Sequence, residues 1–419
     1  MKRNLQAVVL AAGRGTRMRS SLPKVLHEIF GKPLLDYPLE KLRRIGIPRP
    51  VVVIGWGKEK ILSWLNGRAT PVVQSPQRGT GHAVQVALRK LARSGGAVLI
   101  WPADMTLVKE ETIKLLIRDH SRSGARVTVL SSLMPDPTGY GRIVRRGGQV
   151  IGIREELDAS SAERRINEVN TGVYLFEPRA LFGTLKKIEP KNAKKEYYLT
   201  DTVRLISEAG GRVEAFPYAS SGEAQGINSQ ADLALAVRLM NQETLRKYQM
   251  QGVTIVAPEQ TFIAPDVRIG AETVIHPWTY VERGVRIGRK CQIGPFAKIR
   301  SGSVIEDDAV IGSFVELNRS RIGKKVLAKH LAYLGDAVVG EGTNIGAGTI
   351  TANYDGKTKR KTRIGKQAFI GVDTLFVAPV SVGNRAKTGA GAVLKRGTRV
   401  KAGETFVGVP ARRLVKRKK

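Results

Sequence analysis

The sequence predicts an α/β domain with a mostly parallel sheet, followed by a β-helix built from six-residue repeats. The N-terminal half alternates short apolar segments with stretches of helical character, which is typical of α/β folds. In the C-terminal half, an apolar residue recurs at every sixth position from Ile263 to Leu317, and a second series runs from Ile364 to Phe406. A length of 419 residues leaves room for two or three domains, each large enough to bury a core.

The predicted α/β domain begins with a buried strand over residues 6–12. Further strands are predicted over 51–54, 71–74, 97–101 and 126–131, and helices over 81–91 and 110–117. Ligands bind at the carboxyl ends of strands in such sheets, so the loop after the first strand is the expected phosphate site. Its glycines let backbone N–H groups approach an anion, and Arg17 and Lys24 add positive charge. The loop lacks the third glycine of a dinucleotide fingerprint, because Met18 stands there, and it also lacks a P-loop.

A period of six fits neither an α-helix nor an alternating strand, but it fits a triangular coil with three six-residue sides. Each side then contributes one apolar residue to a central stack. The phase is interrupted at residues 323–338 and again at 351–362. We expect both segments to be loops ejected from the solenoid, and such loops often carry function.

The chain carries a net charge of +34, which raises the possibility of a nucleic-acid partner. The basic residues are scattered, however, apart from a C-terminal cluster at 412–419, and aromatic residues make up only 6% of the chain. Specific nucleic-acid binding is therefore disfavoured. Two other interpretations stay open: a basic cleft that attracts small anionic substrates, and a generally basic surface with no specific partner. Cys291 is the single cysteine, and no apolar run is long enough to span a membrane, so we expect a cytoplasmic protein without membrane insertion.

Five motifs in the N-terminal half resemble those of sugar nucleotidyltransferases. They are Leu10-Ala11-Ala12-Gly13-Arg14-Gly15-Thr16-Arg17-Met18 with Pro23-Lys24, Gln77-Arg78-Gly79-Thr80-Gly81-His82-Ala83, Asp136-Pro137-Thr138-Gly139-Tyr140-Gly141-Arg142, Asn170-Thr171-Gly172, and Glu196-Tyr197-Tyr198-Leu199-Thr200-Asp201. The repeats of the C-terminal half resemble the hexapeptide-repeat acyltransferases. Together the two halves resemble the bacterial bifunctional N-acetylglucosamine-1-phosphate uridylyltransferase/glucosamine-1-phosphate acetyltransferases over nearly the whole chain.

This resemblance implies a Rossmann-like nucleotidyltransferase domain over residues 1–228 and a linker helix over 229–250. A left-handed parallel β-helix of hexapeptide repeats would follow over 251–411, with a basic tail at 412–419. It also implies a homotrimer, a requirement for Mg²⁺, and UTP and acetyl-CoA as co-substrates. The expected reactions are acetylation of glucosamine 1-phosphate and uridylyl transfer to N-acetylglucosamine 1-phosphate.

By the same resemblance, Asp104 and Asn228 would hold Mg²⁺, and Arg17 and Lys24 would act in catalysis on the triphosphate. Gln74 and Gly79 match positions that read uracil. The other residues that match nucleotide contacts are Leu10, Ala11, Gly13 and Thr80. Those that match contacts to the sugar phosphate are Gly141, Glu155, Asn170 and Thr200. Ala103 and Leu157 depart from the family pattern without removing any of these groups.

For acetyl transfer, the resemblance implies His330 as the general base that takes the proton of the attacking amine. The residues that match sugar or acetyl-CoA contacts are Arg300, Glu316, Tyr333, Asn344, Ala347, Asn353, Tyr354 and Lys359. Three departures fall in this site: Asn318 replaces a phosphate-binding Lys, Val372 replaces a donor-contacting Ser, and Gly408 replaces a CoA-contacting Arg.

Two alternatives remain open. The chain could be a nucleotidyltransferase alone, with the β-helix as a scaffold for oligomers or acting on another acceptor. It could instead be a basic binding protein that reuses the fold, although Lys24, Asp104, Asn228 and His330 argue against this.

Overall fold

The computed structural model describes residues 5–92 and 95–414. These residues form two compact units, which divide between Val237 and Arg238. The helix Gln230–Met250 runs across the boundary between them. Most of the predicted basic tail, including Lys416, Arg417, Lys418 and Lys419, lies outside the described residues. In the part of the chain that is described, no helix combines the length and apolar character needed to cross a membrane.

The first unit alternates strands and helices, as the sequence predicts. Its strands are β1 (Gln6–Ala11), β2 (Glu28–Ile29), β3 (Lys32–Pro33), β4 (Val51–Ile54), β5 (Thr70–Val73), β6 (Val98–Pro102), β7 (Val127–Leu133), β8 (Gly141–Arg146), β9 (Gln149–Arg154), β10 (Glu168–Phe176) and β11 (Val213–Ala219). Its helices are α1 (Asp36–Arg44), α2 (Lys58–Leu65), α3 (Thr80–Ala87), α4 (Glu110–Ser123), α5 (Ser161–Arg164), α6 (Pro178–Thr184) and α7 (Thr200–Glu208), and α8 (Gln230–Met250) begins at its end. Short 3₁₀ turns lie at Thr16–Met18, Lys24–Leu26, Leu88–Lys90 and Glu156–Asp158.

The main sheet of the first unit has the order β11-β7-β10-β6-β1-β4-β5, with β8 and β9 attached through β10. Strands β6, β1, β4 and β5 are parallel, but β10 runs antiparallel to β6, β7 and β8. Six of the seven strands in the main order therefore share one direction, as the prediction of a mostly parallel sheet requires, but the antiparallel β10 is not predicted. The prediction missed this because β10 follows the β8–β9 hairpin, and such a hairpin reverses chain direction without the helical crossover that marks a parallel connection.

Alternating residues of the central strands enter two cores, one on each face of the sheet. Val9 and Val52 pack with helices α1, α2 and α4 on one face. Val8 and Val53 pack with α3, α6 and α7 on the other. Burial on both faces explains why these strands are apolar runs, and it leaves the ends of the strands as the place where polar groups can meet.

The second unit is a β-helix in which each coil contributes one short strand to each of three parallel sheets, here called the first, second and third faces. A 3₁₀ turn lies at Pro258–Gln260. The first face comprises Thr254–Ile255, Val274–Ile275, Gln292–Ile293, Val310–Ser313, Leu327–His330, Asn344–Ile345, Phe369–Ile370, Lys387–Thr388 and Thr405–Val407, closed by the antiparallel strand Arg412–Arg413. The second face comprises Phe262–Ile263, Tyr280–Val281, Lys298–Ile299, Glu316–Asn318, Tyr333–Gly335, Ile350–Ala352, Leu375–Val377 and Val393–Leu394. The third face comprises Arg268–Ile269, Arg286–Ile287, Val304–Ile305, Arg321–Ile322, Ala337–Val339, Thr362–Ile364, Val380–Val382 and Arg399–Val400.

The hexad positions form the predicted central stack. Ile293 pairs with Ile311 one full coil later, after three of the six-residue sides, and both side chains are fully buried. Parallel in-register pairing repeats along all three faces, so each buried aliphatic side chain lies between two others of the same kind. This regular burial confirms the repeat that the sequence shows.

The prediction of an ejected loop at residues 323–338 is wrong. Ile311 pairs with Ala328, and Leu317 with Leu334, so the coil continues through this segment and is one residue shorter than the coil before it. The missing residue moves every later apolar position out of the phase of six, and that shift looked like an interruption. His330 consequently ends a strand of the first face and does not lie in an ejected loop.

The second predicted loop is present with narrower bounds. Ile345 pairs with Ile370, so this coil is longer than the regular coil that pairs Ile293 with Ile311. Strands Ile350–Ala352 and Thr362–Ile364 keep their places in the stack, and residues 353–361 project from the corner between them.

Candidate active sites

In the first unit, a cleft of about 720 Å³ opens beside the carboxyl ends of β1 and β6. Neighbouring strands with the same direction end at the same edge, so the loops that follow them converge there. Nine of the predicted residues line this cleft: Leu10, Arg17, Thr80, Asp104, Gly141, Glu155, Asn170, Thr200 and Asn228. The cleft therefore joins motifs from almost the full length of the unit.

Lys24 does not line this cleft itself, but it contacts two residues that do. Its Nζ contacts Asp104 Oδ2 at 2.5 Å and Asn228 Oδ1 at 3.1 Å. The two side-chain oxygens therefore converge on one cation, although they are far apart in sequence. Carboxylate and amide oxygens are the ligands that Mg²⁺ prefers, and Mg²⁺ usually binds through few protein groups and completes its shell with water and phosphate oxygens. The pair fits this chemistry, since it offers one carboxylate and one amide oxygen that face the same position.

Asp232 is a site residue that the sequence reasoning missed. Its Oδ2 accepts hydrogen bonds from the backbone N–H groups of Asn228 (3.0 Å) and Ser229 (2.9 Å), and Ser229 Oγ accepts from the Asp232 N–H. This reciprocal arrangement caps helix α8 and fixes the backbone that carries Asn228. The spacing Ser-x-x-Asp at the start of an apolar helix is the signal that predicts it.

The loop after β1 is open to solvent at Gly13, Arg14 and Arg17. Gly15 adopts a left-handed φ of 63°, and a Cβ atom there would lie 2.7 Å from the Lys24 Cβ. Glycine at this position lets Lys24 pass close to the loop on its way to Asp104. Five of the predicted nucleotide-binding residues do not line the cleft surface, so their nucleotide contacts stay predictions: Ala11, Gly13, Lys24, Gln74 and Gly79.

The segment from Gly79 to Gly81 is bound to the chain around Tyr197. The Gly81 N–H donates to the Tyr197 carbonyl (2.8 Å), and the Leu199 N–H donates to Thr80 Oγ1 (3.1 Å). A Cβ atom on Gly79 would lie 2.6 Å from the Tyr197 carbonyl, and φ at Gly79 is 103°. Gln74 is almost fully buried and donates to the Gly79 carbonyl at 3.0 Å. Both predicted base-reading residues thus belong to one hydrogen-bonded unit.

The four residues predicted to contact the sugar phosphate all line the cleft. Thr200 Oγ1 donates to Glu155 Oε1 at 3.1 Å, and Asn170 Nδ2 donates to the Tyr174 hydroxyl at 2.7 Å. Burial raises the pKa of the Glu155 carboxyl, and the hydrogen bond from Thr200 offsets part of the rise. Burial also raises the pKa of Tyr174 far above its usual value, so this hydroxyl stays protonated. A bulge in β10 between Asn170 and Tyr174 places Asn170 beside the cleft.

In the second unit, one network joins four of the positions singled out for acetyl transfer. Arg300 Nη1 donates to Glu316 Oε1 (3.1 Å), and Glu316 pairs in register with Tyr333 on the second face. Asn318 Nδ2 lies 3.5 Å from the Tyr333 hydroxyl. Asn353 is held nearby, because its Nδ2 donates to an Asp336 carboxylate oxygen.

Arg319 lies against the substituted position Asn318. Its Nη1 donates to Asn318 Oδ1 at 2.9 Å, while Nε and Nη2 bind both oxygens of Asp336 at 2.8 Å. This ion pair holds the pKa of Asp336 below its usual value. A positive charge therefore remains beside the place where the family pattern has a lysine.

His330 stands at the corner between the first and second faces. The Gly348 N–H donates to the Leu331 carbonyl, and the Asp373 N–H donates to the Ala347 carbonyl. These corner bonds stack His330, Ala347 and Val372 in successive coils. Asn344 continues the first face one coil after Leu327. The structure thus brings the predicted base and the predicted donor contacts to one edge of the solenoid.

Tyr354 and Lys359 lie on the projecting loop and pair across it. Asp355 holds the loop closed by accepting from the N–H groups of Lys357 and Thr358, and Arg396 pairs with it at 2.8 Å. These contacts define the loop but do not place Tyr354 or Lys359 on a substrate, so their roles stay predictions. Gly408 lies near the C-terminal end with a φ of 86° and carries no side chain that could replace the family's arginine.

Comparison with known proteins agrees with this division into two sites. The chain is 41% identical to the bifunctional protein GlmU of Exiguobacterium sp., over 93% of this chain and 94% of that protein. It is 41% identical to that of Carboxydothermus hydrogenoformans over 93% and 95% of the two chains, and 42% identical to that of Pelotomaculum thermopropionicum over 90% of each. The chain belongs to the bifunctional GlmU family.

Family models match each half of this GlmU-family chain separately. Residues 7–182 match the MobA-like NTP transferase domain. Residues 284–319 match the bacterial transferase hexapeptide with six repeats, and residues 361–396 match the hexapeptide repeat of succinyl-transferase. The two hexapeptide matches flank the shortened coil and the coil that carries the projecting loop.

Proposed function

We propose that this chain makes UDP-N-acetylglucosamine in two reactions, one in each unit. The observation that carries the proposal is a cleft lined by Asp104, Asn228, Glu155 and Thr200, in which the first two also contact Lys24. The chain that carries it matches bifunctional GlmU proteins over more than nine tenths of its length. A cation site next to a polar pocket suits a nucleoside triphosphate and a sugar phosphate as reactants.

In the first unit, a phosphate oxygen of N-acetylglucosamine 1-phosphate attacks the α-phosphorus of UTP. The bond from that phosphorus to the bridging oxygen breaks, and pyrophosphate leaves. Such transfers need positioning and charge neutralisation more than covalent help from the protein. Lys24 and Arg17 neutralise the triphosphate, and Glu155, Asn170 and Thr200 orient the sugar phosphate. Asp104 and Asn228 would hold Mg²⁺, which supplies further neutralisation of phosphate charge when bound.

In the second unit, the amine of glucosamine 1-phosphate attacks the thioester carbonyl of acetyl-CoA. His330 takes the proton that the amine loses, the carbon–sulfur bond breaks, and the proton passes to the sulfur so that CoA leaves as the thiol. Arg300 and Arg319 supply positive charge near Asn318 for the sugar phosphate.

We further propose a homotrimer that packs through an exposed aromatic column. The rings of Trp278, Phe296 and Phe314 stack along the corner that leads to His330, with centroids 6.2 and 4.9 Å apart. Each residue is about half exposed, and Leu331 extends the column. A contiguous apolar strip of this kind is typical of a protein contact.

Both reactions are proposed to occur in the cytoplasm, in keeping with the free, buried thiol of Cys291.

The acetyl reaction is tested by CoA thiol release from acetyl-CoA on addition of glucosamine 1-phosphate, with a no-acceptor control. His330→Ala should abolish the acceptor-dependent release and leave UTP-dependent pyrophosphate release intact. Asp104→Asn should do the opposite. Wild-type protein that makes a UDP-sugar but releases no thiol would favour a scaffold role for the β-helix and would indicate that Asn318, Val372 and Gly408 mark a lost acyl site.

The trimer is tested by light scattering of the wild type and of a Phe296→Ser/Phe314→Ser double variant. The wild type should have three times the chain mass, and the variant should dissociate and lose acetyl transfer. A monomeric wild type would contradict the proposed trimer.

A further inference from the structure

Gln74, the residue predicted to read the nucleotide base, is fixed by contacts to its own chain. It follows β5 at the sheet edge where β1 and β4 also end, and only 2% of its surface is exposed. Its Nε2 lies 3.0 Å from the Gly79 carbonyl and 3.1 Å from His82 Nδ1. Both contacts involve the same amide nitrogen.

These two contacts decide which way the amide faces. A backbone carbonyl can only accept, so the amide atom beside Gly79 must be the NH₂ group and not the oxygen. Its second N–H then points to His82 Nδ1, which must be unprotonated in order to accept. Burial and the nearby Arg78 lower the pKa of His82, which supports the neutral form.

Gln74 Oε1 is then the polar atom of this side chain that remains for a ligand, since it has no hydrogen-bond partner among residues 5–92 and 95–414. An acceptor in this position pairs with a base that carries a ring N–H. Uracil has such a group at N3, whereas N3 of cytosine is itself an acceptor. Two acceptors facing each other leave both unpaired, and buried polar groups without partners give strong discrimination.

We propose that His82 is a positioning residue for base selection: by accepting from the Gln74 amide, it holds Oε1 toward the nucleotide and makes the site prefer UTP over CTP. Without His82 the amide loses one of the two contacts that define its orientation. It can then present the NH₂ group to a ring acceptor such as cytosine N3. This inference rests on the proposed uridylyl transfer and assigns a role to a residue outside direct contact with the base.

The test compares kcat/KM for UTP and CTP, with N-acetylglucosamine 1-phosphate as the second substrate. His82→Phe keeps a ring of similar size but removes the acceptor, and it should lower the UTP/CTP ratio about 10-fold or more. His82→Asn offers an oxygen acceptor near the position of Nδ1 and should restore the ratio toward that of the wild type. The KM for the sugar phosphate should stay the same in both variants, since His82 does not line the cleft and contacts none of Gly141, Glu155, Asn170 and Thr200 in the hydrogen bonds of the described residues.

The matched control is His120→Ala, which removes a buried histidine that contacts Thr128 in the same unit but does not line the cleft. It should lower thermal stability without changing the UTP/CTP ratio. If His82→Phe is folded and loses activity with both nucleotides equally, the positioning role is overturned. If His82→Phe does not fold, His82→Ala is measured for the same ratio with the same criterion. Absence of UTP turnover by the wild type would instead overturn the proposed function itself.

Discussion

At the scale of single residues, the first site depends on side chains that hold other side chains. Lys24 joins Asp104 and Asn228, and Asp232 fixes the backbone of Asn228. The sequence could predict Lys24, Asp104 and Asn228, because each stands in a recognisable motif. Asp232 could be found only by asking how the helix after Asn228 is capped, and the His82–Gln74 contact depends on tertiary distances that a linear motif does not contain.

Asp232→Ala should weaken the metal dependence of uridylyl transfer. Loss of the two hydrogen bonds frees the Asn228 backbone, and removal of an outer partner of a metal ligand typically costs about 10- to 100-fold in metal affinity. The Mg²⁺ concentration for half-maximal pyrophosphate release should rise accordingly. Glu177→Ala is the control, since Glu177 caps α6 in the same way but lies outside the cleft. An equal shift in both variants would show that the effect is a general loss of helix stability.

Glu155→Gln should stabilise the protein at neutral pH. Burial raises the pKa of this carboxyl, so the folded state binds the proton more tightly than the unfolded chain does. The corresponding stability is present at low pH and is lost as pH rises through the raised pKa. Glutamine keeps the oxygen that accepts from Thr200 but carries no charge, so the variant should unfold at a higher temperature than the wild type at pH 7.

The gap between Glu155→Gln and the wild type should shrink as the pH falls through the raised pKa toward the ordinary range of a carboxyl group, and it should close below that range. Thermal unfolding at a series of pH values measures it. The exposed Glu208→Gln serves as control and should change stability little, because its partner Arg204 lies on the surface. A wild type as stable as Glu155→Gln at every pH would rule out a buried charge at this position.

At the scale of elements, turns and corners position the functional groups, whereas strands and helices supply the frame. The sequence predicts the strands of the central sheet to within a residue or two, because β1, β4 and β6 are largely buried apolar runs. The edge strand β5 is more exposed but is also an apolar segment. It cannot predict β10 as antiparallel, since strand direction depends on the length and path of the connection. In the β-helix it predicts the hexad stack but misreads a one-residue deletion as a loop, because a period carries no information about where a coil is shortened.

Gly79→Ala should destabilise the first unit and raise the KM for UTP. The backbone at Gly79 is in a conformation that costs an L-residue about 1–2 kcal/mol, and the new methyl group would meet the Tyr197 carbonyl. Gly183→Ala is the opposite case, because this glycine lies in α6 with open space around it and no left-handed φ. It should stabilise by up to about 1 kcal/mol. Chemical unfolding and UTP kinetics check both, and destabilisation by both would contradict the assigned geometry.

At the scale of the whole molecule, the two units have separate cores. The sheet of the first is covered by helices on both faces, and the second is a stack of aliphatic side chains inside the coil. The sequence could predict this division because the hydrophobic period changes from that of strands and helices to six. The predicted domain bounds stay predictions, since helix α8 continues through the point where the compact units divide.

Ile299→Ala should lower the stability of the β-helix alone. The side chain is fully buried between the strands of neighbouring coils, and its truncation leaves a cavity that costs about 2–5 kcal/mol. Calorimetry should show two transitions in the wild type, and only one of them should move. Val52→Ala is the matched change in the other core and should move the other transition. If both transitions shift in either variant, the units do not unfold independently.

Regular, shortened and lengthened coils occur in the same solenoid without a break in the pairing of its rungs. The extra residues leave the coil at a corner and rejoin it at the next strand of the same coil. The length of the inserted loop therefore does not alter the coils on either side. An architecture of this kind lets the scaffold and the projecting loop at residues 353–361 evolve separately. The segment at 353–361 can be lengthened, shortened or exchanged while the rest of the β-helix stays unaltered. A foreign peptide inserted between Ala352 and Thr362 should therefore be exposed on the surface of a folded protein.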